Sequence, residues 1–102
     1  MVLILYNKCM KFEFDPEKSQ INLKKHVIEF KKAQELWNRP YIEFAAKKEY
    51  ENRFAIIGAI DEKLYTCIYT LRGDLIRIIS CRRSRQKEKE LYEENIKKAT
   101  NL

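Results

Sequence analysis

The apolar positions change period along the chain, and the changes mark out its elements. Lys11-Phe12-Glu13-Phe14 alternates, as a short strand does. Asp15-Pro16-Glu17 is a helix start. Asp15 can cap free N–H groups, and Pro16 at the first helical position removes a donor that would be unpaired anyway. The helix predicted from Pro16 to about Lys25 has only Ile21 and Leu23 as apolar anchors, so it is expected to pack by a narrow edge. Lys18, Asn22, Lys25 and His26 then share its wet side. Phe30, Ala33, Leu36 and Trp37 have helical spacing and predict a second helix over roughly residues 29–38. Arg39-Pro40 stops it, because a residue before proline avoids the helical region.

Beyond Pro40 the pattern turns to strands. Tyr41 to Ala45 predicts an edge strand, and Lys47 to Asn52 a charged loop. Arg53 to Ile60, Lys63 to Thr70 and Leu75 to Cys81 predict an antiparallel meander, with Asp61-Glu62 and Leu71-Arg72-Gly73-Asp74 as its turns. Strict alternation in the last strand puts Leu75, Arg77, Ile79, Cys81 and Arg83 on one face and Ile76, Ile78, Ser80 and Arg82 on the other. Strands this apolar on both sides imply helices over one face and part of the other. Gln86 to about Lys98 predicts a charged helix with a weak stripe at Tyr92, Ile96 and Ala99. The expected fold class is α+β: a short N-terminal strand, two helices, a three- to four-stranded antiparallel sheet and a C-terminal helix. Residues 10–102 are read as a single domain. Residues 1–9 are an N-terminal extension, either a dispensable tail ahead of a second start at Met10 or an added strand segment from Val2 to Tyr6.

A length of 102 residues suits one core. The net charge of +6 and a pI near 9.3 favour an acidic partner, with a lysine-rich solvated surface as the plain alternative. Val2 to Tyr6 is too short for a signal sequence or a membrane span, so no membrane partner is expected. Cys9, Cys67 and Cys81 are odd in number and lack a CxxC spacing. They read as reduced residues of a cytoplasmic protein. One histidine and scattered cysteines make no four-ligand metal set, and two glycines make no phosphate loop. An enzyme of this composition would work without a metal or a nucleotide cofactor.

Its chemistry would rest on cations. Lys25, His26, Arg53, Arg72, Arg77, Arg82, Arg83 and Arg85 form the basic set. Guanidinium forks pair phosphate oxygens with two bonds and keep their charge. Arg77, among aliphatics, is an ion-paired or snorkelling residue or an anion holder. His26 is a helix-end residue or a proton carrier, with Lys25 beside it to stabilise negative charge. Tyr65, Tyr69 and Tyr92 either pack the fold or stack on bases. Cleavage of RNA by its own 2′-hydroxyl fits these limits, since the protein need only position the chain, move protons and stabilise a crowded phosphate.

The sequence resembles the BrnT family of bacterial type II toxins. The resemblance runs from Phe12-Glu13-Phe14-Asp15 through Lys18, Asn22, Lys25-His26, Phe30, Ala33, Arg53 and Gly58. It continues in Tyr69-Thr70, Arg72, Arg77-Ile78-Ile79-Ser80-Cys81-Arg82-Arg83, Glu88 and Tyr92. It implies a ribonuclease of RelE-like fold that inhibits translation. It also implies a ribbon-helix-helix antitoxin that neutralises the toxin and supplies all contacts to operator DNA. Lys25, His26 and Arg77 are then the catalytic candidates and Arg53, Arg72, Arg82 and Arg83 the RNA-binding ones, and Arg85 joins the latter as a member of the basic cluster with Arg82 and Arg83. Three positions depart from the family's usual residues: Val27 stands for glycine, Phe14 for tryptophan and Cys81 for alanine. Two rival readings are a non-catalytic module binding antitoxin or RNA, and a basic domain docking an acidic protein.

Overall fold

The computed structural model describes residues 3–5, 11–46 and 52–100. The predicted charged loop lies outside these residues except for Asn52. The elements run β1 (Leu3–Leu5), β2 (Lys11–Glu13), α1 (Pro16–His26), α2 (Phe30–Ala33), a 3₁₀ helix (Gln34–Asn38), β3 (Tyr41–Ala46), β4 (Arg53–Ile60), β5 (Lys63–Arg72), β6 (Leu75–Arg83) and α3 (Gln86–Thr100).

The class is α+β as expected, but the sheet is larger and mixed. Six strands lie in the order β1-β3-β4-β5-β6-β2. The meander β3 to β6 is antiparallel, whereas β2 runs parallel to β6 with Lys11, Phe12 and Glu13 opposite Leu75, Ile76 and Arg77. This corrects the expectation of a three- to four-stranded antiparallel sheet. The parallel placement sends Phe12 to the core face beside Ile76, where its ring meets the edge of Trp37 at 5.0 Å. Nor is β3 an edge strand, because β1 pairs along its outer side. The strand segment weighed for the first nine residues is therefore realised in Leu3–Leu5.

Local chemistry explains the helices. The Asp15 carboxylate accepts the Glu17 N–H at 2.9 Å, Pro16 opens α1, and Lys24, Lys25 and His26 occupy the last turn, where the helix dipole favours cations. The second predicted helix divides after Ala33. Its 3₁₀ continuation winds at three residues per turn, which aligns Ala33 with Leu36 and buries both with Trp37. Gly58 in β4 admits this segment, since a Cβ there would meet Leu36 Cδ2 at 3.2 Å. Asp61 and Glu62 both have positive φ, as a two-residue I′ hairpin turn requires. Gly73, at φ +57°, opens the other two-residue turn, so β5 runs on to Arg72, while β6 begins at Leu75 as predicted and continues at its far end to Arg83.

One face of the sheet and the helical segments before β3 enclose the main core of Ile28, Phe30, Leu36, Trp37, Tyr41, Ile56, Tyr69, Ile76, Ile78 and Cys81. The opposite face is covered by α3 over β3, β4 and β1, where Ile42, Ala55 and Ile57 are buried. Cys67 and Cys81 are cross-strand neighbours, both free and buried, and Cys9 lies outside the described residues. Among the described residues no helix is long and apolar enough to cross a membrane.

Candidate active site

The register sorts the arginines. Arg53 pairs with Thr70, Thr70 with Arg77, and Arg77 with Glu13, so these four side chains form one row across β4, β5, β6 and β2. Arg72, two residues beyond Thr70, shares their face. That face is the α3 side, because Thr66 and Arg82, in register on it, both bond Glu88 of α3. Helix α3 covers β1, β3 and β4, which leaves the β5-β6-β2 half as a basic shelf beside it.

The strict alternation expected in β6 fails at a β-bulge. Ile68 pairs with Ser80 but Tyr69 pairs with Ile78, which leaves Ile79 as the extra residue. Arg77 therefore shares a face with Arg82, while Cys81 and Arg83 turn to the other. Arg83 lies over the Tyr65 ring, 5.7 Å from its centroid. The predicted grouping of Arg77 with Arg83 is thus corrected by one inserted residue.

The same bulge shapes a cleft against α1. Lys18, Ile21, Asn22, Lys25, His26, Ile79 and Ser80 line about 200 Å³ of space. Helix α1 follows directly from β2 and takes over the edge of β6 where β2 ends. Asn22 makes the join. Its amide Nδ2 donates to the carbonyls of Cys81 at 2.7 Å and Ile28 at 2.8 Å, and its Oδ1 accepts the Cys81 N–H at 3.2 Å. One side chain thus pairs both backbone groups of Cys81 and fixes the last turn of α1 beside the bulge. The expectation of Asn22 as a wet-face residue is corrected: it is only 6% exposed. Ser19 supports the same joint by accepting the Phe30 N–H at 2.9 Å.

The charged side chains fall into three kinds. Arg82 is held bidentate by Glu88 at 2.7 and 2.8 Å, and Glu88 also accepts from Thr66 at 3.0 Å and from the Arg85 N–H at 2.8 Å. Burial would push the Glu88 carboxyl up, but Arg82, the Arg85 N–H and Thr66 outweigh it and bring it down to about 2. Arg82 is thereby a scaffold residue. Arg77 and Arg72 stand 3.6 and 3.7 Å from Glu13 Oε1, too far for good hydrogen bonds. Lys18, Lys25 and His26 form no ion pair among the described residues. The cations at the cleft are thus held by no carboxylate among the described residues.

The sequence model of a family described as "ribonuclease toxin, BrnT, of type II toxin-antitoxin system" matches residues 14–88. The chain belongs to the BrnT family. No curated protein matches it. The match spans α1, the whole β3–β6 meander and the first turn of α3, ending at the carboxylate that locks Arg82. Membership makes the protein a toxin-family chain for which an antitoxin partner is implied.

In this BrnT-family chain the structure brings Lys25 and His26 together on the cleft, with Arg77 two residues along β6 from its floor, roughly 7 Å at strand rise. Arg53 and Arg72 share the shelf with Arg77. Arg82 is committed to Glu88, Arg83 faces away, and Arg85 is exposed just before α3. Tyr69 is buried, stacked on Phe54 at 5.4 Å, with its hydroxyl donating to the Glu43 carboxylate, so it is a core residue. Among the described residues no three His, Cys, Asp or Glu side chains gather as a metal site.

Sequence reasoning left three contributors out of the candidate set: Lys18, Glu13 and Glu88. Glu88 carries a legible signal, as the third residue of α3 reaching back to the N–H of Arg85, which is half of a capping box. Glu13 carries none, because nothing in a three-residue strand announces its parallel neighbour.

Proposed function

We propose that the protein is a metal-independent endoribonuclease toxin whose substrate strand crosses the shelf of Arg53, Arg72 and Arg77 and enters the cleft at Lys25 and His26. The observation that carries this reading is the meeting of two unlike features at the bulge. One is a row of guanidiniums suited to phosphates. The other is a small cleft that holds the single imidazole of the chain.

The chemistry follows from those groups. Attack of a ribose 2′-hydroxyl on its own 3′-phosphate needs a proton removed, a proton delivered to the leaving 5′-oxygen, and relief for the charge on the non-bridging oxygens. His26 is the proton carrier, Lys25 and Arg77 stabilise the phosphorane with Arg72 beside Arg77, and Arg53 holds a flanking phosphate. Lys18 extends the basic rim, seven residues and about 10 Å along the axis from Lys25. Arg83 and Arg85 add to the field at the periphery. The toxin acts in the cytoplasm and lowers translation by cutting RNA. A ribbon-helix-helix antitoxin neutralises it and makes the operator contacts for the pair.

The test is cleavage of a single-stranded RNA by the purified chain in excess chelator. Fragments ending in 2′,3′-cyclic phosphate are expected, and a 2′-deoxy residue at the scissile position should block the cut. His26→Ala and Arg77→Ala should each lower kcat about 10²- to 10³-fold in folded protein. Binding without cleavage would make the chain a non-catalytic module. Tighter binding of an acidic peptide than of RNA would make it a protein-docking domain.

A further inference from the structure

Two carboxylate–arginine assemblies among the described residues are built differently. Around Glu88 the contacts are short, bidentate and saturated, with a hydroxyl and a backbone N–H completing the set. Around Glu13 two guanidiniums approach one oxygen at 3.6 and 3.7 Å, and that buried oxygen has no hydrogen-bond partner. A buried carboxylate oxygen without a hydrogen bond is costly, and long ion pairs relieve it only in part. The Arg77 and Arg72 forks correspondingly keep unused donors. Arg72 is well exposed, at 59%, and Arg77 less so, at 24%, so the two can be met from the solvent side of the shelf.

We propose that Arg72 and Arg77 form a seat for one phosphodiester of single-stranded RNA, and that Glu13 is the resident counter-charge which holds the two forks convergent until that phosphate replaces it. This inference rests on the ribonuclease reading and adds a positioning residue, Glu13, to it. Three features of the structure fit the role. Glu13 sits on the edge strand β2, at the end of the row Arg53-Thr70-Arg77. Its parallel register with Arg77 fixes the carboxylate beside the forks without a hydrogen bond that would have to break. Two arginines two strand positions apart would otherwise repel and splay, since like charges at that spacing are unfavourable. A phosphate supplies the same charge with more acceptor oxygens, and it can take both forks in two-bond pairing.

The experiment measures binding of a 2′-deoxy-blocked oligoribonucleotide to the full chain and to Glu13→Gln and Glu13→Ala. With the competing charge gone, binding should tighten about three- to tenfold at low salt. The slope of log K against log salt should steepen by about 0.7, the value for one further phosphate neutralised on a single strand. On the cleavable substrate, KM should fall while kcat changes little. Unchanged affinity and slope in folded variants would overturn the proposal. So would a collapse of kcat at unchanged KM, which would make Glu13 part of the chemistry. If neither variant folds, the arginine side-chain N–H signals of the wild-type chain decide. On saturation with the same oligonucleotide, the Nε–H signals of Arg72 and Arg77 should move and that of Arg82 should stay. Stationary Arg72 and Arg77 signals would reject the seat while leaving RNA binding intact. No binding by the wild-type chain would remove the ribonuclease reading along with this one.

Discussion

Val27 shows how much one residue can tell. It ends α1 in the left-handed region, at φ 59° and ψ 29°, with its N–H bonded to the Leu23 carbonyl. The BrnT family usually has glycine here, and the backbone gives the reason, since a β-branched side chain is strained where glycine is at ease. Val27→Gly should raise the stability of the chain by about 1 kcal/mol, read as a higher denaturant midpoint at unchanged slope. The side chain is 82% exposed, so almost no packing is lost in exchange. The departure from the family pattern is legible in the sequence, whereas its conformational meaning needs the dihedral angles. Asn22 is the opposite case. An asparagine between lysines looks solvated, and only the tertiary fold reveals that it completes the hydrogen bonding of Cys81.

Among elements, the meander was the most legible part. Alternation and turn chemistry located β4 to the residue, and Asp61-Glu62 as its turn. The pairing of β2 was not legible, because three residues carry too little pattern to name a neighbour or a direction. The bulge was equally hidden, since Ile76, Ile78 and Ile79 are all aliphatic and nothing in them marks which one is extra. Helix α3 was predicted as a charged, weakly amphipathic segment, and its attachment through Glu88 gives it a pH signature. A carboxyl held at about 2 when folded, against an ordinary 4.5, adds stability that is full above pH 4.5. That stability is lost as the pH falls through the folded value. Wild-type melting temperature should therefore drop between about pH 4.5 and 2, and Glu88→Gln should start lower and show a flatter profile over that window. A profile unchanged by the substitution would mean that the Arg82–Glu88 contact contributes nothing to holding α3.

At the scale of the whole molecule, a net charge of +6 is spread over both faces, yet only part of it is available to a ligand. Arg82 is spent on α3, and Arg83 lies on the far side of the sheet over Tyr65. Three or four phosphate contacts from Arg53, Arg72, Arg77 and Lys25 should give a salt slope of roughly −2 to −3 for single-stranded RNA. Titrations between 50 and 300 mM salt, about the range in which such slopes are read, would check this. A slope near −4, the value for about six phosphates on a single strand, would mean that the whole net charge acts, without the division the structure draws. That division depends on Ile79, the supernumerary residue of β6. Were Ile79 instead absorbed into a regular ladder, Arg82 would swing toward the aromatic layer, Arg83 would take its place before Glu88, and the tether of the last helix would have to be rebuilt from the neighbouring residue. The polarity of this protein, which side greets a nucleic acid and which anchors its own chain, is written in the one unpaired position between Arg77 and Arg82 as much as in their identity.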